Sequence, residues 1–110
     1  MKPIVPRAAA ENDVDEASDY YADKAEEDVA HGFVEAVREA YRAISDHPGA
    51  GSPRYADLLG IEGLRSRKLR RYPYLVFYLE RADHIDVWRV LHAQRDIPPM
   101  FGDEESEFDR

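Results

Sequence analysis

Gly63-Leu64-Arg65-Ser66-Arg67-Lys68-Leu69-Arg70-Arg71-Tyr72-Pro73-Tyr74-Leu75-Val76-Phe77-Tyr78-Leu79 is answered by Ile85-Asp86-Val87-Trp88-Arg89-Val90-Leu91-His92 and closed by Ala93-Gln94-Arg95-Asp96. β-Branched and aromatic residues crowd the second and third of these runs. Tyr72-Pro73 interrupts the first two, because proline cannot donate to a ladder, and the polar Arg81-Ala82-Asp83-His84 turns the chain between the last two. The pattern predicts three consecutive strands in an antiparallel meander. Its first strand carries Arg65, Arg67, Lys68, Arg70 and Arg71, and its last carries Arg89 and His92. One side of the sheet is therefore expected to be strongly basic, and the earlier half of the chain reads as its cover.

Working outward, Lys2-Pro3-Ile4-Val5-Pro6 is kept out of a helix by its two prolines and is a candidate first strand. Ala10, Val14, Ala17 and Tyr21 then recur at helical spacing. Glu11, Asp13, Asp15, Glu16 and Asp19 place negative charge in the early turns, where the helix dipole favours it. After the polar break Lys24-Ala25-Glu26-Glu27-Asp28, a second stripe follows in Val29, Phe33, Val37, Ala40 and Ile44, widened by Ala30, Ala36 and Tyr41. Asp46-His47-Pro48-Gly49 ends it. Two helices joined this closely pack antiparallel, and their joint apolar face needs a sheet to cover. The predicted fold is α+β: a short N-terminal strand and an antiparallel helical hairpin packed on a small antiparallel β-sheet, within residues 1–100. Residues 49–55 read as a loop, with Leu58-Leu59-Gly60-Ile61 pinning its far end. Residues 101–110, with Asp103, Glu104, Glu105, Glu107 and Asp109, read as an acidic, disordered tail.

The chain of 110 residues is long enough for one domain with an unstapled core, and it has no cysteine. A disulfide framework and thiolate metal sites are thereby excluded, and a reducing compartment suits the chain. No apolar run is long enough to span a membrane, and the first residues lack the apolar stretch of a signal peptide, so a cytoplasmic location is expected. The net charge of −8 argues against general nucleic-acid binding. Its distribution is uneven: −8 over residues 1–64, +4 over 65–96 and −4 over 97–110.

In this order the pieces resemble the ParE/RelE toxin superfamily of bacterial type II toxin–antitoxin modules over about residues 3–97. The carriers are Arg7-Ala8-Ala9-Ala10 leading into Asp13-Val14-Asp15-Glu16-Ala17 and Tyr20-Tyr21, then Phe33 followed by His47-Pro48-Gly49-Ala50-Gly51-Ser52. The arginine-rich strand into Arg71-Tyr72-Pro73-Tyr74-Leu75-Val76-Phe77-Tyr78 and the ending Arg89-Val90-Leu91-His92-Ala93-Gln94-Arg95-Asp96 complete the set. That resemblance implies a small α+β fold, a cognate antitoxin held in a hetero-oligomer, and a lethal intracellular target. RelE-like members are ribosome-dependent messenger endoribonucleases, whereas ParE-like members poison DNA gyrase and are neutralised by ParD-like antitoxins.

Cleaving RNA through its 2′-hydroxyl requires a base, cations around the phosphorane, and an acid for the leaving oxygen. Arg65, Arg67, Arg71 and Arg89 offer cations, and His92 offers an imidazole of ordinary pKa about 6.5. Glu62 is the only nearby carboxylate to partner it, and it precedes the strand. With that set incomplete, the ParE branch is the nearer one and no catalytic residue is expected; the RelE alternative would use His92, Arg71 and Arg89. A third reading is a non-toxic member of the fold that only binds its partner.

For target binding the candidates are Arg65, Arg67, Arg70, Arg71, Arg89 and Arg95, against the plainer reading of solvated charges that blunt a sheet edge. Tyr20 and Tyr21 point about 100° apart on a helix, so both cannot face one core. Together with Phe33 and Trp88 they are the candidates for antitoxin binding by a helix-in-groove mode. Trp88 is expected to share a face with Asp86, Val90 and His92. His31, His47, His84 and His92 are scattered, and neither a metal, a cofactor nor a sequence-specific nucleic-acid partner is expected.

Overall fold

The prolines and polar breaks of the sequence mark the ends of elements in the computed structural model, which describes residues 1–97. The acidic segment 101–110 lies outside the described residues. In chain order the elements are β1 (Ile4–Pro6), α1 (Ala8–Lys24), α2 (Glu27–Asp46), α3 (Arg54–Leu59), β2 (Arg65–Lys68), β3 (Tyr74–Glu80) and β4 (Ile85–His92), with a 3₁₀ turn at Pro48–Ala50. The expected loop after α2 thus contains one 3₁₀ turn and the start of a short helix. Gly60 ends that helix at φ 67°, a left-handed cap that glycine adopts without cost.

The sheet order is β1-β4-β3-β2. β2, β3 and β4 form the antiparallel meander. β1 lies parallel to β4, with Ile4 opposite Ile85, so the expected antiparallel meander is extended by the N-terminal strand into a mixed sheet. The connection permits it: the whole helical hairpin and the meander separate β1 from β4, far more than the dozen or so residues a parallel crossover needs. The arginine-rich run is also shorter as a strand than expected, because β2 ends at Lys68.

Both faces of the sheet are covered. Ala10, Ala17, Phe33, Val37, Ala40 and Ile44 of the hairpin pack on Tyr74, Val76, Tyr78, Ile85, Val87 and Val90. On the opposite face, Leu59 of α3, Leu64 and Ile97 close over Phe77, Leu79, Trp88 and Leu91. Burial on two sides explains why β3 is apolar almost throughout instead of alternating.

A β-bulge interrupts β4. Phe77 pairs with Arg89 but Tyr78 pairs with Val87, so Trp88 is the extra residue. The bulge inverts the alternation, which sends Ile85, Val87 and Val90 to the helices and Trp88 and Leu91 to the other face. Trp88 therefore shares a face with Asp86 and not, as the unbroken alternation predicted, with Val90 and His92.

Two glycines are notches for tyrosine hydroxyls. Tyr72 donates to the Val29 carbonyl at 2.8 Å across Gly32, and Tyr78 donates to the Pro48 carbonyl at 2.6 Å beside Gly51. A Cβ on either glycine would overlap the hydroxyl. This packing accounts for a glycine in the middle of α2, where it otherwise costs about 1 kcal/mol of helix propensity.

Candidate functional site

One end of the sheet gathers the turn between β2 and β3, the end of β4 and the tip of the helical hairpin. Backbone bonds fix it: Leu69 donates to the Tyr74 carbonyl at 3.0 Å and Ala93 to that of Pro73 at 2.8 Å. Asp96 folds back on His92, its N–H donating to the His92 carbonyl at 3.2 Å and its carboxylate accepting the His92 N–H at 3.0 Å. Within this frame Tyr21 is the hub of an aromatic cluster. Its ring centroid lies 5.4 Å from Tyr72, 5.5 Å from Phe33, 5.7 Å from Tyr20 and 6.3 Å from Tyr74. Burial, with the neighbouring phenols adding to it, pushes the Tyr21 hydroxyl above the ordinary tyrosine value. The 100° between Tyr20 and Tyr21 is realised as one ring in and one ring out: Tyr20 is 48% exposed.

Exposed arginines rim this end. Arg70 pairs with Glu39 of α2 at 3.0 Å. Arg71 adopts φ 69°, a left-handed backbone uncommon for a residue with a Cβ, beside a groove of about 250 Å³ shared with Gly32, Glu35 and Tyr72. Arg95 donates to the Tyr74 hydroxyl at 3.3 Å and lies 5.8 Å from the centroid of the Tyr20 ring. Burial raises the Tyr74 hydroxyl's pKa, and the Arg95 charge opposes that rise.

The remaining candidates lie elsewhere. Arg65 pairs with Tyr78 toward the opposite end of the meander and donates to the Gly51 carbonyl at 2.7 Å. Arg67, opposite Val76, lines a shallow pocket against α2 together with Lys68 and Arg70, next to the arginines of the site. Arg89 is not a surface cation: its guanidinium donates through two nitrogens to Asp13, each at 2.8 Å, and the two side chains are 8% and 9% exposed. Phe33 is fully buried and presents no surface to a partner, because its ring fills the space between α1, α2 and β3. Trp88 is closed over by Arg7, 4.2 Å above its ring, and its indole N–H donates to Asp86 at 3.2 Å. Of the five cations that crowd one stretch of sequence, Arg67, Lys68, Arg70 and Arg71 thus lie along adjoining pockets against α2, and Arg65 stands apart from them.

Two carboxylates matter that sequence reasoning passed over. β1 stops at Pro6, which leaves the edge of β4 open just beyond Val87. Asp13 closes it, accepting the Val90 N–H at 3.0 Å while holding Arg89. Asp86 accepts from Arg7, Arg81 and Trp88. Burial pushes its pKa up, but the bonds from Arg7 and Arg81 outweigh this and hold it below the usual carboxylate range. Its signal was in the sequence: an acid between Ile85 and Val87 in a strand rich in apolar residues needs buried partners. Asp13 carried no such signal, because acids are expected in a helix's first turns.

Of the residues a ribonuclease would use, Arg71 and His92 share this end of the sheet, while Arg89 is tied to Asp13. His92 Nδ1 accepts the backbone N–H groups of Gln94 and Arg95, both at 3.2 Å, so the imidazole anchors a turn. Glu62 precedes β2 at the far end of the meander. His92 pairs with Tyr74 and Arg65 with Tyr78, which separates the two ends by about 13 Å at 3.3 Å per residue. Among the described residues, no group of three His, Cys, Asp or Glu is placed to hold a metal. Nor is any described helix long and apolar enough to cross a membrane.

Fold and site together define a small α+β domain, a helical hairpin on a mixed sheet whose aromatic end is rimmed by arginines. The chain belongs to the ParE toxin family of type II toxin–antitoxin systems, parDE, whose family model matches residues 4–97. No curated protein matches it. Among solved structures it is similar to a chain of the chromosomal ParDE TA system from P. aeruginosa. That likeness has 21% identity and a TM-score of 0.72 over 86% of this chain and 98% of the other, and it supports the fold.

Proposed function

We propose that this toxin inhibits DNA gyrase in the cytoplasm and is held inactive in a hetero-oligomer by a ParD-like antitoxin. The observation that carries this reading is that Arg89 and the His92 Nδ1 already have partners within the fold. Arg89 is consumed by Asp13, His92 Nδ1 is consumed by two backbone amides, and Glu62 belongs to the other end of the sheet. What this end leaves exposed instead is contact chemistry: Arg70, Arg71 and Arg95 for the target, and Tyr20 and the rim of Tyr21 for the antitoxin. Arginine and tyrosine are the residue types that dominate protein interfaces.

Cleavage mapping of messenger RNA during expression, set beside gyrase-dependent DNA damage, tests the proposal. His92→Ala, provided it folds, is expected to leave growth inhibition largely intact. Messages cut on ribosomes by wild type, with toxicity abolished in His92→Ala, would move the assignment to ribonuclease chemistry.

A further inference from the structure

Between α1 and the end of β4 lies a recess of about 240 Å³ whose polar lining is Asp13, Glu16, Tyr20, Tyr74, Arg95 and Asp96. Every carboxylate in it is already engaged. Asp13 holds Arg89 and the Val90 N–H, Glu16 accepts from the Asn12 amide at 3.2 Å, and Asp96 accepts the His92 N–H. Arg95 has no acid partner among the described residues. One of its N–H groups meets the Tyr74 hydroxyl, and the Tyr20 ring flanks it. A guanidinium carries five donors in a planar fork matched to a carboxylate, so most of this fork faces the recess unused.

We propose that Arg95, steadied by Tyr20 and Tyr74, seats one aspartate or glutamate side chain of the target protein. The inference rests on the gyrase reading above and names the contact that reading needs. Charge decides between a single carboxylate and a run of phosphates. Asp13 is neutralised by Arg89 but Glu16 and Asp96 keep their charge, so repulsion opposes any anion here and accumulates along a polyanionic backbone, whereas a single acid sets it against the bidentate fork of Arg95. The half-exposed Tyr20 ring gives an apolar neighbour of that acid a surface to pack on. Because the two tyrosines already restrict the arginine, less side-chain freedom is lost on binding.

The test is calorimetric binding of the full chain to each purified gyrase subunit and to the cognate antitoxin. Arg95→Gln is expected to weaken gyrase binding about tenfold or more, as truncation of a paired interface charge does. Arg95→Lys, which keeps the charge and loses the fork, should fall between. Arg95→Lys carries the test if the glutamine variant fails to fold. Arg95→Gln binding gyrase within about twofold of wild type overturns the seat and leaves the gyrase reading standing. Wild type that binds neither subunit overturns both. Antitoxin affinity that falls while gyrase affinity holds overturns the seat as stated and gives its carboxylate to the antitoxin.

Discussion

The two ends of β4 treat arginine in opposite ways. At its start, Asp86 draws in Arg7 and Arg81, and Arg7 in turn lies flat on Trp88. At its other end, Arg95 is held by a neutral hydroxyl and an aromatic ring, while the acids around it serve other donors. Arg89, between them, is sealed against Asp13. Cations of identical chemistry therefore act as structural cement, as a partial lid, or as an open contact, according to where the carboxylates fall. Neither the net charge nor the local density of arginine distinguishes these roles.

The largest expected effect sharpens that contrast. Asp13→Ala strands a buried guanidinium and reopens the edge of β4, and should cost about 3–5 kcal/mol, as breaking one half of a buried pair does. Arg95→Gln should stay within about 0.5 kcal/mol of wild type, the range for surface substitutions. Denaturant melts of the two variants check this. Equal losses would mean that Arg95 is as structural as Arg89.

The aromatic end offers a similar comparison. Phe33→Ala should cost about 3–5 kcal/mol because it empties a closed site in the core. Tyr20→Ala, at the exposed ring next to Tyr21, should cost well under half of that. A thermal melt in which Phe33→Ala loses less than about 1 kcal/mol would contradict the packing of α2 on the sheet.

The smallest effect is a pH dependence at the Asp86 end. Its carboxyl titrates lower in the folded chain than in the unfolded one. The stabilisation it brings is therefore complete above the ordinary aspartate value and is lost as pH falls through the depressed folded value. Acid unfolding of wild type and Asp86→Asn should differ in slope there, the variant being the flatter. Superimposable slopes would mean that Arg7 and Arg81 do not hold this carboxylate in solution.

Much of the fold was legible in the sequence because it is written in local periods. The stripe Val29, Phe33, Val37, Ala40 and Ile44 gave α2, the polar tetrapeptide before Ile85 gave the last hairpin, and Pro73 marked the break between β2 and β3. What escaped was non-local. β1 has three residues, too few to signal a parallel partner eighty positions away. The bulge at Trp88 arises from pairing with β3, and nothing in Val87-Trp88-Arg89-Val90 announces it. α3 was hidden among glycines and prolines, although Leu58-Leu59 before Gly60 is a helix ending in miniature. The site was legible in its residue types more than in its membership. Arg95 and Tyr20 are exposed together at one end of the sheet beside Tyr21, but Arg89 was assigned to the surface because its acid is 76 residues away.

Gyrase-dependent DNA cleavage by the purified toxin, with Arg95→Gln run beside it, tests the central claim most directly. The account predicts that wild type traps broken DNA on gyrase and that Arg95→Gln traps far less while melting at the same temperature. Broken DNA undiminished in the variant, or no effect of wild type on gyrase while ribosome-bound messages are cut, would contradict it.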